Sequence, residues 1–300
     1  MNNPASSSLA SGSPASPFHP GEQLVQTVAG VREEAEARGQ KMLTPQLVDA
    51  QRTFFAQLPF VITSHLDGNG HPWAGILTGK LGFIQVTPDG RVRVERGGAE
   101  SPAALDASPG NQVGLLGIEF ARRRRNRING TVESSVEESF TLSIDQGYGN
   151  CPKYITKRSW DTTLFSGRYE LESWRHVPGF VHRLIEKTDT FFIASSSGPD
   201  TDKTGIQPSA WGADISHRGG EPGFLELEDE VLWFDDYPGN NLFNTLGNLQ
   251  QYPQCGLMII DFDTGDLLQI AGAAKLHHDR GKYRVAVHVR EIRHWRRIDA

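Results

Sequence analysis

One passage of this chain occurs twice. Val113-Gly114-Leu115-Leu116-Gly117-Ile118-Glu119-Phe120 returns as Cys255-Gly256-Leu257-Met258-Ile259-Ile260-Asp261-Phe262. Downstream, Ile128-Asn129-Gly130 is answered by Ile270-Ala271-Gly272, and one offset separates Gly114 from Gly256 and Gly130 from Gly272. Internal repeats decide architecture, and a period the size of a domain means two related domains rather than a stacked solenoid. Upstream, Gly82-Phe83 pairs with Gly223-Phe224, Pro72 with Pro208, and Pro59-Phe60-Val61 with Phe191-Phe192-Ile193. The offset shrinks towards the N-terminus. Short insertions near Asp200-Thr201-Asp202-Lys203 and around Ser216–Gly220, set against Thr78-Gly79-Lys80, account for the change. A chain of 300 residues suits two domains of about 100–200 residues each.

The hydropathy period divides the chain. Residues 18–57 read as helical: Leu24, Val28 and Val31 recur at helical spacing, and Thr44-Pro45 offers an N-cap and first turn for a segment running into Phe54-Phe55. From Phe60 the period becomes two. Strands are expected at Phe60–Ser64, Trp73–Leu77, Phe83–Val86, Arg91–Val94, Gly114–Phe120 and Arg127–Glu133, with Asp67-Gly68-Asn69-Gly70 and Pro88-Asp89-Gly90 as turns. The second copy repeats the pattern at Thr190–Ser195, Gln207–Ile215, Phe224–Leu227, Val231–Phe234, Gly256–Phe262 and Leu267–Ala274. Leu242, Phe243, Leu246 and Leu249 share one face of a short intervening helix. The expected class is mainly β, a small antiparallel β-barrel in each copy with helices as covers. The expected boundaries are a disordered tail at 1–17, a helical segment at 18–57, and barrels at 58–160 and 161–300.

Bulk properties narrow the function classes. A net charge of −6 provides no basic field for nucleic acid or an anionic membrane, and no apolar run approaches the roughly 18–20 residues that span a bilayer. Met1–Pro17 has neither a charged n-region nor an apolar h-region, so no secretory signal is expected. Cys151 and Cys255 cannot make a disulfide framework, which favours a reducing, cytoplasmic setting. The histidines, His277-His278 included, form no metal-ligand pattern.

Four stretches could carry chemistry. Asp214-Ile215-Ser216-His217-Arg218-Gly219-Gly220 ends a strand and could aim backbone N–H groups and a guanidinium at one anion, or be a polar hairpin with flexible glycines. Tyr237-Pro238-Gly239-Asn240-Asn241-Leu242-Phe243-Asn244-Thr245 leads into a helix start, where free N–H groups bind phosphate. A plain N-cap is the alternative, but asparagine is more frequent here than capping requires. In Arg122-Arg123-Arg124-Arg125-Asn126-Arg127, alternation puts Arg125 and Arg127 on one strand face, as an anion site or as a solvated hairpin. Tyr148-Gly149-Asn150-Cys151-Pro152-Lys153-Tyr154 lacks the His/Asp partner a catalytic cysteine needs. It reads better as a loop seating an aromatic ring against a ligand or the other domain.

Taken together, the Ser216–Gly220 stretch, Gly239-Asn240-Asn241 with Asn244-Thr245, and the repeated Gly256–Phe262 strand resemble the pyridoxamine 5′-phosphate oxidase-like family of FMN-binding split β-barrels. The Arg-rich hairpin and the Cys151 loop resemble its tandem-barrel subgroup. The resemblance implies two split barrels forming a pseudo-dimer within one chain, with FMN in the groove between them. It implies a phosphate grip from Ser216, His217, Arg218, Asn241, Asn244 and Thr245, with Trp211 or Tyr237 flanking the ring and Arg125 and Arg127 reaching a flavin phosphate or a substrate anion. His217 is the one candidate for proton transfer. The implied activity is flavin-mediated hydride or electron transfer on a small-molecule substrate, with NAD(P)H as a candidate donor and pairing into a homodimer left open. Two alternatives stand beside it: a non-catalytic flavin or haem binder, and a structural or interaction protein.

Overall fold

The computed structural model describes residues 15–96, 103, 105–159, 165, 167–198 and 208–298. Three helices open the chain: α1 (Pro20–Val28), α2 (Arg32–Met42) and α3 (Asp49–Ala56). The first sheet contains β1 (Phe60–Leu66), β2 (Pro72–Thr78), β3 (Ile84–Val86), β4 (Val92–Glu95), β5 (Gln112–Glu119), β6 (Arg124–Ser135) and β7 (Ser139–Asn150). The second part runs β8 (Tyr169–Trp174), α4 (Gly179–Lys187), β9 (Thr190–Ser196), β10 (Ala213–Gly219), β11 (Leu225–Glu228), β12 (Val231–Asp235), α5 (Asn244–Gln251), β13 (Gln254–Ile260), β14 (Leu267–Asp279) and β15 (Lys282–Arg297).

The two sheets have one connection order. The first reads β2-β1-β5-β6-β7-β4-β3 and the second β10-β9-β13-β14-β15-β12-β11, antiparallel throughout, with β8 added on β15. The mainly β class and the two-barrel layout expected from the sequence are therefore those of the structure. Each sheet curls around its own core. Val61, Ile84, Val94, Leu115, Ile128 and Leu142 fill the first. Phe191, Ile193, Leu225, Phe234, Leu257 and Val285 fill the second. Because side chains alternate along a strand, the neighbours of these residues point outwards. Phe60, Ile62, Leu116, Phe192, Ala194, Ile215 and Met258 form a third cluster between the sheets. That double burial explains why β1 and β9 are apolar on both faces.

The repeated glycines mark where the sheets touch. A Cβ on Gly114 would lie 3.1 Å from the Ile215 nitrogen and 3.2 Å from the Ala213 oxygen of β10, and one on Gly256 would lie 2.3 Å from the Pro72 oxygen of β2. Only glycine lets each central strand cross the edge strand of the other sheet so closely. Both long hairpins are also bulged at the same place, between Asn129 and Gly130 and between Ala271 and Gly272.

The structure revises several sequence expectations. β7, β15, β8 and α4 were not anticipated; the first sheet therefore has seven strands and the second eight, rather than six each. The pairings align Val61, not Pro59, with Phe191, and Ala213, not Pro208, with Pro72. The extra residues lie in the β9–β10 connection, 197–212 against 67–71, and Ser216–Gly220 is no insertion. Part of that connection, including Asp200-Thr201-Asp202-Lys203 and Gln207, lies outside the described residues. Thr44 caps no helix: its backbone bridges Gly147, its hydroxyl donates to the Gln46 carbonyl, and α3 starts at Asp49. On α1, Leu24 and Val28 are about half exposed while Glu22, Val25 and Gln26 are buried. The periodicity misled because α1 lies on a polar surface. Of the tail, residues 1–14 lie outside the described residues, whereas Ala15 and Ser16 are tied to α2: the Ser16 hydroxyl donates to Glu36 and the Ala15 carbonyl accepts from Gln40. Among the described residues no helix is long and apolar enough to cross a membrane.

Candidate functional site

A cavity of about 980 Å³ opens where the start of β6 meets β10, the start of α5 and the tip of the β14–β15 hairpin. Arg125, Arg127, Ser216, His217, Arg218, Tyr237, Asn241, Asn244 and Thr245 all line it. The polar stretch Ser216–Gly219 is strand, not loop: it pairs in register with Thr190–Ile193 of β9. Alternation puts Asp214, Ser216 and Arg218 on one face of β10 and His217 on the other. Trp211 is the exception among the expected residues. It is buried away from the cavity, its ring 5.5 Å from that of His19 and its carbonyl accepting from Gln112.

Behind the cavity wall lies a buried polar network joining both sheets to α1 and α5. Arg127 donates to Asp214 at 2.9 Å, to the Tyr148 hydroxyl at 2.7 Å and to the Ser216 hydroxyl at 2.5 Å. Asn129 and Asn248 donate to the two oxygens of Asp214 at 2.7 and 2.8 Å. Asn244 donates to Glu22 at 2.6 Å and accepts from Tyr148 at 3.2 Å. Thr245 donates to Ser216 at 2.9 Å, and Asn248 receives the His19 ring at 2.9 Å. A buried charge persists only when paired and hydrogen-bonded, and Asp214 with Arg127 meets that condition. Among the described residues Glu22 has no lysine or arginine to itself, its one ionisable basic neighbour being the His19 ring at 3.5 Å. Burial first, and the Asp214 carboxylate second, raise its carboxyl well above the ordinary range. Burial works against the charge on Arg127 too, but Tyr148 and Asp214 outweigh it and hold the guanidinium more firmly protonated than usual. The Tyr148 phenol is pushed up by burial. The asparagine surplus at α5 is thus spent largely on this network: Asn244 and Asn248 serve it, and Asn240 accepts from the Leu242 N–H.

Four arginines line the cavity and differ in how far they are neutralised; Arg284 has Glu226 at 2.7 Å. Arg127 has Asp214, and Arg218 has Asp236 at 2.7 Å. Arg125 has no carboxylate among the described residues. It donates to the carbonyl of Cys151 at 2.8 Å and to Nδ1 of His217 at 2.8 Å. Burial, then Arg127 and Arg218, pull it down to about 10, so it is still a cation at neutral pH. Since a guanidinium only donates, Nδ1 of His217 accepts, and its Nε2 is a buried donor without a partner among the described residues. Burial, then Arg125, Arg218 and Arg158, push the His217 imidazole well below its ordinary value. A ring held neutral in this way is a weak source of protons.

Across the mouth, Tyr154 and Tyr237 approach with ring centroids 5.2 Å apart, and the Tyr154 hydroxyl donates to the Pro238 carbonyl. The Cys151 loop therefore reaches the second sheet through an aromatic ring. Sequence reasoning missed Glu22, Asn129 and Asp236. Glu22 sat on a face that its pattern marked as solvated, Asn129 was noted only as part of the repeated Ile128-Asn129-Gly130, and Asp236 lies just beyond the strand expected at Val231–Phe234. The long β15, with Tyr283 and Arg284 at the cavity, was likewise unseen.

No protein-family model matches the chain, and no curated protein matches it. Among solved structures, a candidate pyridoxamine 5′-phosphate oxidase from Lactobacillus delbrueckii is similar over 36% of this chain and 98% of its own, at 16% identity and a TM-score of 0.28. An F420 reductase is similar over 38% and 95%, at 14% identity and a TM-score of 0.28. A FAD-binding protein from Mesorhizobium loti is similar over 42% and 97%, at 6% identity and a TM-score of 0.29. At these scores the likenesses carry no weight for what the cavity holds.

Proposed function

We propose that this chain is a flavoprotein that binds FMN in the cavity between its two sheets and uses it in oxidoreduction of a small molecule. The observation that carries this reading is Arg125, a half-buried guanidinium with no carboxylate among the described residues, lining a cavity of about 980 Å³. Cofactor pockets run to roughly 300–1,000 Å³ and place few polar groups. Here the lining includes the cationic donors Arg125 and Lys153, the hydroxyl groups of Ser216 and Thr245, and the rings of Tyr154 and Tyr237. Among the described residues the Nε atoms of Arg127 and Arg218 are buried without hydrogen-bond partners. That donor set fits a phosphate with an aromatic ring system attached. When bound, FMN would supply the redox chemistry, accepting a hydride from a donor such as NAD(P)H and passing electrons on. The chain's own residues bind and orient it: Arg125 and Lys153 hold the anion, Ser216 and Thr245 complete the wall, and Arg218 is steadied by Asp236.

The test is direct. Purified protein, or protein mixed with FMN, should show the absorbance of bound flavin. Arg125→Ala should weaken FMN binding by about 1.5–3 kcal/mol, the value of a charge-assisted hydrogen bond. Arg218→Ala and Asn244→Ala should also weaken it, though less directly, because both side chains already have protein partners. A wild-type protein that does not take up FMN would refute the reading.

A further inference from the structure

The N-terminal helices hold the cavity's loop from behind. Gln26 on α1 is fully buried and donates through Nε2 to the Leu242 carbonyl at 2.9 Å. Arg38 on α2 donates to the Asn240 carbonyl at 2.6 Å. Neither side chain lines the cavity, whereas Asn240, Asn241 and Phe243 do. The loop between them is unusual: Asn241 and Phe243 both have φ of 59°, a left-handed conformation that non-glycine residues adopt at a cost of order 1–3 kcal/mol and keep only when surroundings enforce it.

The consequence follows from the planarity of the peptide group. In a trans peptide the C=O and the next residue's N–H point in opposite directions. Carbonyls 240 and 242 are drawn towards α1 and α2, so the N–H groups of Asn241 and Phe243 point away from those contacts, in a loop whose residues 240, 241 and 243 line the cavity. The Leu242 N–H between them is taken by the Asn240 side chain. These amides continue into the first turn of α5, whose N-cap, Phe243, supplies no side-chain cap. Successive amides in such a turn, at a helix start, form an anion-binding nest. A second observation points to a ligand there. Arg127, 4% exposed, lines the same cavity with its Nε unpartnered.

We infer that Gln26 and Arg38 are positioning residues that set the cavity's preference for a phosphorylated ligand, by turning the 240–243 amides towards it. The inference rests on the flavin reading and deepens it. The phosphate is recognised by backbone that the N-terminal helices orient. Further contacts keep that frame rigid. A Cβ on Gly21 would lie 2.2 Å from the Gly247 oxygen, so α1 sits directly against α5. Arg32 donates to Oε1 of Gln26 at 2.9 Å and to Glu36 at 2.6 Å, which fixes the amide of Gln26 in its donating orientation.

The test measures FMN and riboflavin binding to the full chain, by quenching of flavin fluorescence, in the wild type, Gln26→Ala, Arg38→Ala and Arg38→Lys. The two ligands differ only in the phosphate. The alanine variants should bind FMN roughly tenfold more weakly, as the loop amides lose the bonds that orient them, with riboflavin affinity little changed; Arg38→Lys, which still donates, should retain the FMN preference. Unchanged FMN-to-riboflavin ratios in the alanine variants, or equal losses for both ligands, overturn the inference while leaving FMN binding in place. If the wild type binds neither flavin, the flavin reading fails, and protection by inorganic phosphate against thermal unfolding is compared instead. Protection lost in the alanine variants then supports the orienting role, and equal or absent protection overturns it. Arg38 is partly exposed, so its substitution does not put folding at risk.

Discussion

The two sheets meet across two clefts that their common strand order makes equivalent, and the side chains at matching positions have opposite characters. In the first cleft, Arg127 stands opposite Leu116 and Arg125 opposite Ile118. In the second, Gln269 stands opposite Met258 and Leu267 opposite Ile260. Tyr148 beside Arg127 corresponds to Arg293 beside Gln269, and Asn150 beside Arg125 to Trp295 beside Leu267. On the edge strands, Asp214 and Ser216 correspond to Trp73 and Gly75. The second cleft is filled from within. Gln269 donates to the Ala74 carbonyl at 2.6 Å, Trp295 donates to Gln269 at 2.8 Å, and the Arg293 guanidinium lies 3.8 Å from the Trp73 ring centroid. A side chain at Gly75 would strike the Ala103 carbonyl at 2.2 Å. One backbone plan thus yields a polar cavity on one side and a packed interface on the other. The difference lies in about half a dozen side chains, and a ligand site can be confined to one of two equivalent clefts without altering the sheets.

Six substitutions would break or sharpen this contrast. Asp214→Ala leaves Arg127 buried and unpaired and should cost about 3–5 kcal/mol in chemical denaturation. Joining it to Arg127→Met should recover part of that loss, which would be absent if the pair were incidental. Next comes Arg125→Ala, with its loss of about 1.5–3 kcal/mol in FMN binding. The matching Leu267→Ala should instead cost about 2–5 kcal/mol of stability and leave ligand affinity unchanged; reversed outcomes would mean the clefts have been assigned the wrong way round. Glu22→Gln tests the network by pH. Glu22 binds its proton more tightly in the folded state than at its ordinary value of 4.5. Its contribution is therefore fully present below that value and lost as pH rises through the raised one. The glutamine variant should show a flatter decline in stability on the alkaline side, and identical pH profiles would refute a protonated Glu22. The smallest effect is expected from Gln269→Leu, about 1 kcal/mol or less of stability with no change in ligand binding by titration.

Much of the fold was legible because the chain states it twice. The glycine pairs that let β5 and β13 cross the opposite sheet were visible as matched residues, and alternation in the central strands was clear. β15 was overlooked because Arg, Glu and His occupy its outward positions. The slipped alignment of Pro72 with Pro208 came from matching residue types where only strand pairing fixes the register. At the cavity, residue types in unusual local density, Arg125–Arg127, Ser216–Arg218 and Asn240–Thr245, pointed to one place. What the sequence could not reveal was which charges are already spent. Asp236 neutralises Arg218, Asp214 neutralises Arg127, and Glu22 enters from a helix more than two hundred residues away in the chain from Asn244. Those partnerships exist only once the sheets and α1 are assembled.

The asymmetry of the clefts is tested most directly by counting bound cofactor. Protein saturated with FMN, freed of excess and denatured, should release one flavin per chain by absorbance, and the Gln269→Leu variant should release the same amount. Two flavins per chain would show that the second cleft also opens to the ligand, and none would remove the cavity's assignment altogether.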